Sequence, residues 1–179
     1  TLVIQASAWK FIINTDYGAL NTLLKSLGII QSNINWTPTP EAFFAWEIAC
    51  GIFVTIPFVC FTALSGLQSI DNTLYEAAIV DGSNYWQKLF HITLPLVKPS
   101  LTVATVLNII YVFNSFPIVW TITKGDPASR TDTLVTYLYK LAFYNGKQGE
   151  AAAVSVIGFL ILLVCASCYM VSTLKKGEE

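Results

Sequence analysis

The sequence predicts an all-α, polytopic transmembrane helical bundle. Two features of composition and one of charge pattern lead there. Of the 179 residues, 54% are hydrophobic and 12% charged, against roughly 25% charged in an average soluble domain. Mean hydropathy is +0.59. The charges are also segregated, because residues 48–70, 99–123 and 151–174 contain none, and about 20 apolar residues carry a helix across a bilayer core. A formal net charge of -1 offers no basic face for nucleic acid. So apolar a composition also argues against a soluble enzyme.

Taken in order, the apolar run from Thr1 to Trp9 is too short to span and lacks the basic start of a signal peptide. It reads as the end of a helix begun upstream, so the chain is expected to be N-terminally incomplete. Residues 10–40 are broken by Asp16, Gly18, Asn21, Gly28, Asn33, Asn35, Pro38 and Pro40 and read as an external segment. Within it Leu20, Leu23, Leu24 and Leu27 recur at helical spacing before Gly28, the pattern of a short amphipathic helix on the membrane surface. Trp36 and Trp46 flank the start of span one, about 42–66, where rings favour the headgroup level. Pro57 inside it removes a backbone donor, which membranes tolerate where the freed carbonyl is buried in protein or faces a cavity.

Residues 67–94 are polar enough to leave the membrane yet patterned as two short helices. Thr73-x-x-Glu76 reads as a capping box opening a helix to Val80, and Gly82 as its left-handed stop. A second segment runs from Ser83 to His91, and Pro95 and Pro99 open span two, about 96–120. Residues 121–149 form another external connector around Gly125, Asp126 and Pro127. Span three, about 150–174, ends at Lys175-Lys176. Three spans put 67–94 and the tail on one side, and 10–40 and 121–149 on the other. Lysine and arginine divide four to six between those sides, against the loop being cytoplasmic, so charge alone does not orient the chain.

Catalytic chemistry finds no foothold. The cysteines Cys50, Cys60, Cys165 and Cys168 lie in or beside the spans as small apolar side chains, and Cys165-x-x-Cys168 has no further ligand beside it. His91 is the only histidine, and Glu41, Glu47 and Glu150 sit at span edges rather than paired in a pocket. No metal site follows. No phosphate loop of the form G-x-x-x-x-G-K-S/T occurs in these residues, so the chain is not expected to be an ATPase itself.

The 67–94 loop contains EAAIVDGSNYWQKLFHITLP: E-A-A, three residues, Gly, nine residues, Ile, one residue, Leu-Pro. This spacing resembles the coupling-loop signature of the membrane subunits of binding-protein-dependent ABC importers. The flanks LSGLQSIDNTLYEAA and TKGDPASRTDTLVTYLYKLAF are similar to the carbohydrate branch, the maltose and glycerol-3-phosphate type permeases, and the likeness runs from about Tyr17 to Leu174. It implies a type I ABC importer permease fold, with Glu76, Ala77, Ala78, Asp81, Gly82, Ile92, Leu94 and Pro95 in ATPase coupling. It also implies a second permease subunit, ATPase subunits that bind ATP and Mg, and an extracytoplasmic solute-binding protein. This chain would bind no cofactor and would sit in a bacterial or archaeal cytoplasmic membrane. One position departs: the family usually has Pro where this chain has Asp71, whose side chain can still start a helix.

A joint between a soluble motor and membrane helices has a physical use here. Ala77 and Ala78 allow close docking, and Gly82 sets the angle between two half-helices. For the solute path, polar residues inside the spans are the candidates, since they cost free energy in lipid. Asn108, Tyr111 and Ser115 share a face of span two at i, i+3 and i+7, and Gly51, Thr55 and Phe58 share one of span one. Amide, hydroxyl and ring groups suit a sugar, although interhelical packing selects the same residue types. Two alternatives stand beside the sugar permease: a type I importer for a non-carbohydrate solute, and a motorless channel or structural subunit.

Overall fold

The computed structural model describes residues 1–175. Its helices are α1 Leu2–Ile12, α2 Ala19–Ser26, α3 Pro40–Gln68, α4 Asn72–Val80, α5 Tyr85–Lys88, α6 Leu94–Phe113, α7 Phe116–Ile122, α8 Leu134–Tyr139 and α9 Gln148–Lys175, with π turns at Leu89–Thr93 and Lys140–Tyr144. No strand occurs among the described residues. Pro40–Gln68, Tyr85–Phe113 and Gln148–Thr173 are long and apolar enough to cross a membrane. Most of their large apolar side chains are exposed on this chain, as expected of surfaces that lipid or neighbouring helices cover. Lys176 and the charged tail lie outside the described residues.

The second long helix departs from the expected 96–120 at both ends. It does not open at Pro95 and Pro99 but runs unbroken from Tyr85 to Phe113. A π turn precedes Pro95: the Leu94 amide bonds the Leu89 carbonyl, and the Thr93 hydroxyl donates to the Lys88 carbonyl at 3.3 Å. Local π geometry is one of the adjustments by which a membrane helix continues through proline. At the far end Pro117 lacks an N–H and would crowd the Phe113 carbonyl in a continuous helix. The chain therefore turns at Asn114 and Ser115, with the Phe116 amide on the Asn114 carbonyl at 2.8 Å, and restarts as α7 with Pro117 in the first turn.

Two compact units result. One comprises residues 1–54 and 112–160, the other 55–111 with the chain from 161 onward. In the first unit Ala6, Cys50, Ile118 and Ile122 form a buried cluster, with Trp9, Phe43 and Val54 packed on it. Segment 14–37 is organised by Asn21 rather than by the leucines of α2. Asn21 is 2% exposed, while Leu23 and Leu27 face outward. Its amide nitrogen donates to the carbonyls of Thr15 and Ile34 at 3.0 and 2.9 Å, and its oxygen accepts from the Ile34 amide and Trp36 Nε1 at 3.2 and 2.9 Å. Trp46 Nε1 donates to the Trp36 carbonyl at 3.1 Å, and the two rings meet edge to face.

In the second unit α3 crosses α6 closely at Gly66. A Cβ there would stand 2.9 Å from Ser100 Oγ and 3.2 Å from Val97 Cγ1, so only a residue without a side chain fits.

Candidate functional site

The loop between the first two long helices is a helix, a hinge and a second helix. α4 starts at Asn72 with Asp71 as its N-cap, the carboxylate accepting the Thr73 amide at 2.9 Å. The Thr73 amide, and then its hydroxyl, hold the Asp71 carboxyl below its ordinary range. This corrects the capping box expected at Thr73 and Glu76. Asp71 already satisfies the Thr73 amide, and Glu76 lies one turn further in, exposed and with no side-chain hydrogen bond among the described residues.

The hinge is closed from within. Gly82 has φ +73, the left-handed conformation that Gly takes without a Cβ penalty. Its amide reaches the Ile79 carbonyl at 3.0 Å, and the Ser83 amide reaches that of Ala78 at 2.9 Å; these two bonds define a Schellman stop. Asn84 and Gln87 then cap α5 reciprocally at 2.8 and 2.9 Å. Tyr75 and Thr93 tie α4 to the π turn through a 3.0 Å bond between their hydroxyls. The angle between α4 and α5 is thus held by hydrogen bonds on both sides of Gly82.

Of the motif residues only Ala78 is buried, at 7% exposure; Ala77, Asp81 and Gly82 are open and Ile92 half-buried. Leu94 and Pro95 line a cleft of about 600 Å³ with Lys98, Tyr169 and Thr173, which joins the end of the motif to α9. The loop also exposes Val80 at 87%, Tyr85 at 69% and Trp86 at 62%. Sequence spacing did not single these out, although an apolar side chain in a polar loop is itself a docking signal. Tyr85 and Trp86 meet edge to face, and Trp86 stacks on Phe90.

Of the two expected path faces, the one at Asn108, Tyr111 and Ser115 is not kept on a single helix. Asn108 and Tyr111 lie one turn apart on α6, half-buried and exposed. Ser115 has left that helix and is the N-cap of α7, because Pro117 ends α6 early. Gly51, Thr55 and Phe58 remain on one helix, α3, and a Cβ at Gly51 would meet nothing within 4 Å. The cysteines are free thiols, and no group of three or more His, Cys, Asp or Glu able to hold a metal occurs among the described residues.

Residues 6–174 match the family described as binding-protein-dependent transport system inner membrane component. The chain is 49% identical over 170 residues to a probable ABC transporter permease protein of Brucella suis biovar 1 (strain 1330), covering 95% of this chain and 59% of that protein. It is 37% identical to the trehalose/maltose transport system permease protein MalF of Thermococcus litoralis, over 94% of this chain and 56% of the relative. It therefore spans somewhat over half the length of these curated relatives. Among solved structures, a bacterial alginate ABC transporter in complex with alginate pentasaccharide-bound periplasmic protein superposes with a TM-score of 0.81 at 25% identity, over 94% of this chain and 58% of that one. The apolar helices, the hinged EAA loop and the match over residues 6–174 agree: this multi-pass membrane chain belongs to the family of binding-protein-dependent transport system inner membrane components.

Proposed function

We propose that the chain forms part of the permease of an ATP-driven importer that moves a sugar or related solute through the cytoplasmic membrane of a bacterium or archaeon. An extracytoplasmic binding protein delivers the solute, a second permease subunit completes the path, and ATPase subunits hold ATP and Mg. The sugar class is supported by the trehalose/maltose relative and by the alginate-transporter fold. The observation that carries the coupling role is the hinge at Gly82. Two short helices whose mutual angle is fixed by hydrogen bonds form a rigid lever, and exposed Val80, Tyr85 and Trp86 give it an apolar docking surface. Glu76, Ala77, Ala78 and Asp81 flank that surface, and a lever seated in a motor's cleft passes rigid-body motion along the continuous Tyr85–Phe113 helix. Asn108, Tyr111 and Ser115, with Gly51, Thr55 and Phe58, are the residues proposed to meet the solute.

The test combines topology and coupling. A cysteine at Ser83, in a background without the four native cysteines, should react only with reagent applied from the cytoplasmic side and should cross-link to an ATPase subunit. Labelling from outside intact cells overturns the topology. Saccharides should stimulate ATP hydrolysis by the reconstituted importer; stimulation by a non-carbohydrate solute alone would move the substrate class, and no coupling to hydrolysis would leave a motorless channel.

A further inference from the structure

The turn after α7 borders an open cavity of about 390 Å³ that neither the coupling loop nor the α6 path residues use, a size within the ~300–1,000 Å³ of small-ligand pockets. We propose that this cavity is a saccharide-binding subsite. It rests on the sugar-import reading, and in the proposed topology it is extracytoplasmic, where incoming solute arrives.

The lining is built on mutually braced rings. Trp120 stacks on Phe116 with centroids 5.3 Å apart, Tyr139 packs against both at 4.7 and 4.8 Å, and Tyr144 stands 6.0 Å from Trp120. Trp120 and Tyr144 line the cavity, so their apolar surface is fixed before a ligand arrives. Sugar C–H faces pack on such rings, and little side-chain freedom remains to be lost on binding.

The polar lining supplies donors and acceptors together, as sugar hydroxyls require. Asn145 and Ser129 offer both kinds, and Lys124 adds an ammonium that has no ion-pair partner among the described residues. Lys140 is committed to Asp132 at 2.9 Å. Two lysines and two aspartates, Asp126 and Asp132, line the cavity. Their charges cancel, which suits a neutral polyhydroxylated ring better than a free anion or metal ion.

Backbone strain points to the same place. Lys124, Ala128 and Ser129 are non-glycine residues at φ 58, 54 and 58, a region costly for a residue with a Cβ. Bonds within the turn hold them there: the Lys124 amide to the Val119 carbonyl at 3.0 Å, and the hydroxyl of fully buried Thr131 to the Asp126 carbonyl at 3.0 Å and to Thr123 Oγ1 at 2.9 Å. A turn that only connected two helices would be cheaper with glycine at these positions. Two of the three strained residues, Lys124 and Ser129, line the cavity.

The experiment uses the assembled importer in lipid nanodiscs without nucleotide, titrated with maltose, trehalose and diacetylchitobiose. Saturation-transfer NMR reads contact with sugar C–H protons, and proteoliposome uptake of the same sugars is measured in parallel. At least one sugar should give signal, weakened about tenfold by Trp120→Ala through loss of the stacking surface. Lys124→Gly, which relaxes the left-handed turn while deleting the ammonium, should weaken it about fivefold. If Trp120→Ala fails to assemble, Lys124→Gly at its exposed position decides alone. No signal from any sugar, or signal unaffected by the variants that assemble, overturns the subsite. So does signal lost in Asn108→Leu and retained in the turn variants, which assigns binding to the span. Uptake separates the two readings: sugar uptake without a turn-dependent signal sinks the subsite alone, whereas transport of only non-carbohydrate solutes sinks the solute class.

Discussion

Thr123 Oγ1 donates to Glu47 Oε1 across 2.7 Å and so fastens the turn after α7 to α3. Glu47 is 4% exposed, and its second oxygen has no partner. Thr123→Val would therefore leave a buried carboxyl with neither oxygen bonded. A stranded buried polar group costs about 1–3 kcal/mol, whereas removing both partners can be nearly neutral. Thr123→Val should lower the melting temperature of the purified complex, Thr123→Ser should not, and Glu47→Leu combined with Thr123→Val should recover only the part due to the carboxyl, because the Thr131 hydroxyl and the Gly125 amide still lack their Thr123 acceptor. Equal melting of wild type and Thr123→Val would show that the bond holds nothing.

Asp71 gives the coupling loop a dependence on pH. Its carboxyl is held below the ordinary aspartate value of 3.8 by the Thr73 amide and hydroxyl. A carboxyl with a lowered folded-state pKa stabilises the helix start above the unfolded value, and the contribution fades as pH falls through the folded value. Protection of the Thr73 amide against exchange, taken relative to the intrinsic rate at each pH, should hold at neutral pH and fall only in acid, below about pH 4. Asp71→Asn keeps an acceptor at the N-cap without a titrating group and should abolish the acid step. A step of the same size in Asp71→Asn would assign it to another carboxyl.

Much of this was legible in the sequence, and the failures share a cause. Uncharged stretches and the Gly82 spacing report on single residues and near neighbours, and there the long helices and the left-handed stop stand. Asn21, which reads as a helix breaker, is instead the best-bonded buried side chain of segment 14–37. Its partners Ile34 and Trp36 lie 13 and 15 residues on, beyond the reach of a helical period. Pro95 and Pro99 read as a boundary because periodicity does not reveal that the helix continues through them, with a π turn just before Pro95. Ser115 leaves the expected face because Pro117 ends α6 in the turn before it, an effect that an i, i+3, i+7 spacing does not include. The exposed Val80, Tyr85 and Trp86 were equally visible as letters; only the fold shows that nothing in the loop covers them.

Gly82 and Glu76 separate the lever from its contact. Gly82→Val places a β-branched residue at φ +73, at a cost of roughly 1–2 kcal/mol for the left-handed backbone. It should open the angle between α4 and α5 while leaving the long helices inserted. Gly82→Asn should be milder, since Asn tolerates that conformation. Glu76→Lys disturbs no side-chain bond among the described residues, so a loss in a variant that inserts normally reports on a partner. Both Gly82→Val and Glu76→Lys should insert normally and lose about tenfold or more in solute-stimulated ATP hydrolysis and uptake. Normal coupling in both variants would remove the joint from this loop.

The last prediction concerns the α6 face. Asn108 and Tyr111 are one turn apart on α6, half-buried and exposed on this chain, which is compatible with lining a path or with contacting another helix. Asn108→Leu keeps helix propensity and suits lipid, so it removes a hydrogen-bonding group and little else. If Asn108 meets the solute, uptake falls further than the amount of assembled complex. If it packs against a helix, assembly falls first, because interhelical polar contacts are worth about 0.6–2 kcal/mol. Recovery of detergent-resistant complex, measured beside uptake, distinguishes the two. Ser115→Leu serves as an internal contrast: its residue stands at the N-cap position of α7, where its side chain makes no capping bond, so the substitution should cost the helix start little, and a loss of uptake would report on a contact beyond it. Full uptake by Asn108→Leu and by Tyr111→Ala would shift the path to the α3 face at Gly51, Thr55 and Phe58, where Gly51→Leu, introduced into open space, should then obstruct uptake without harming assembly.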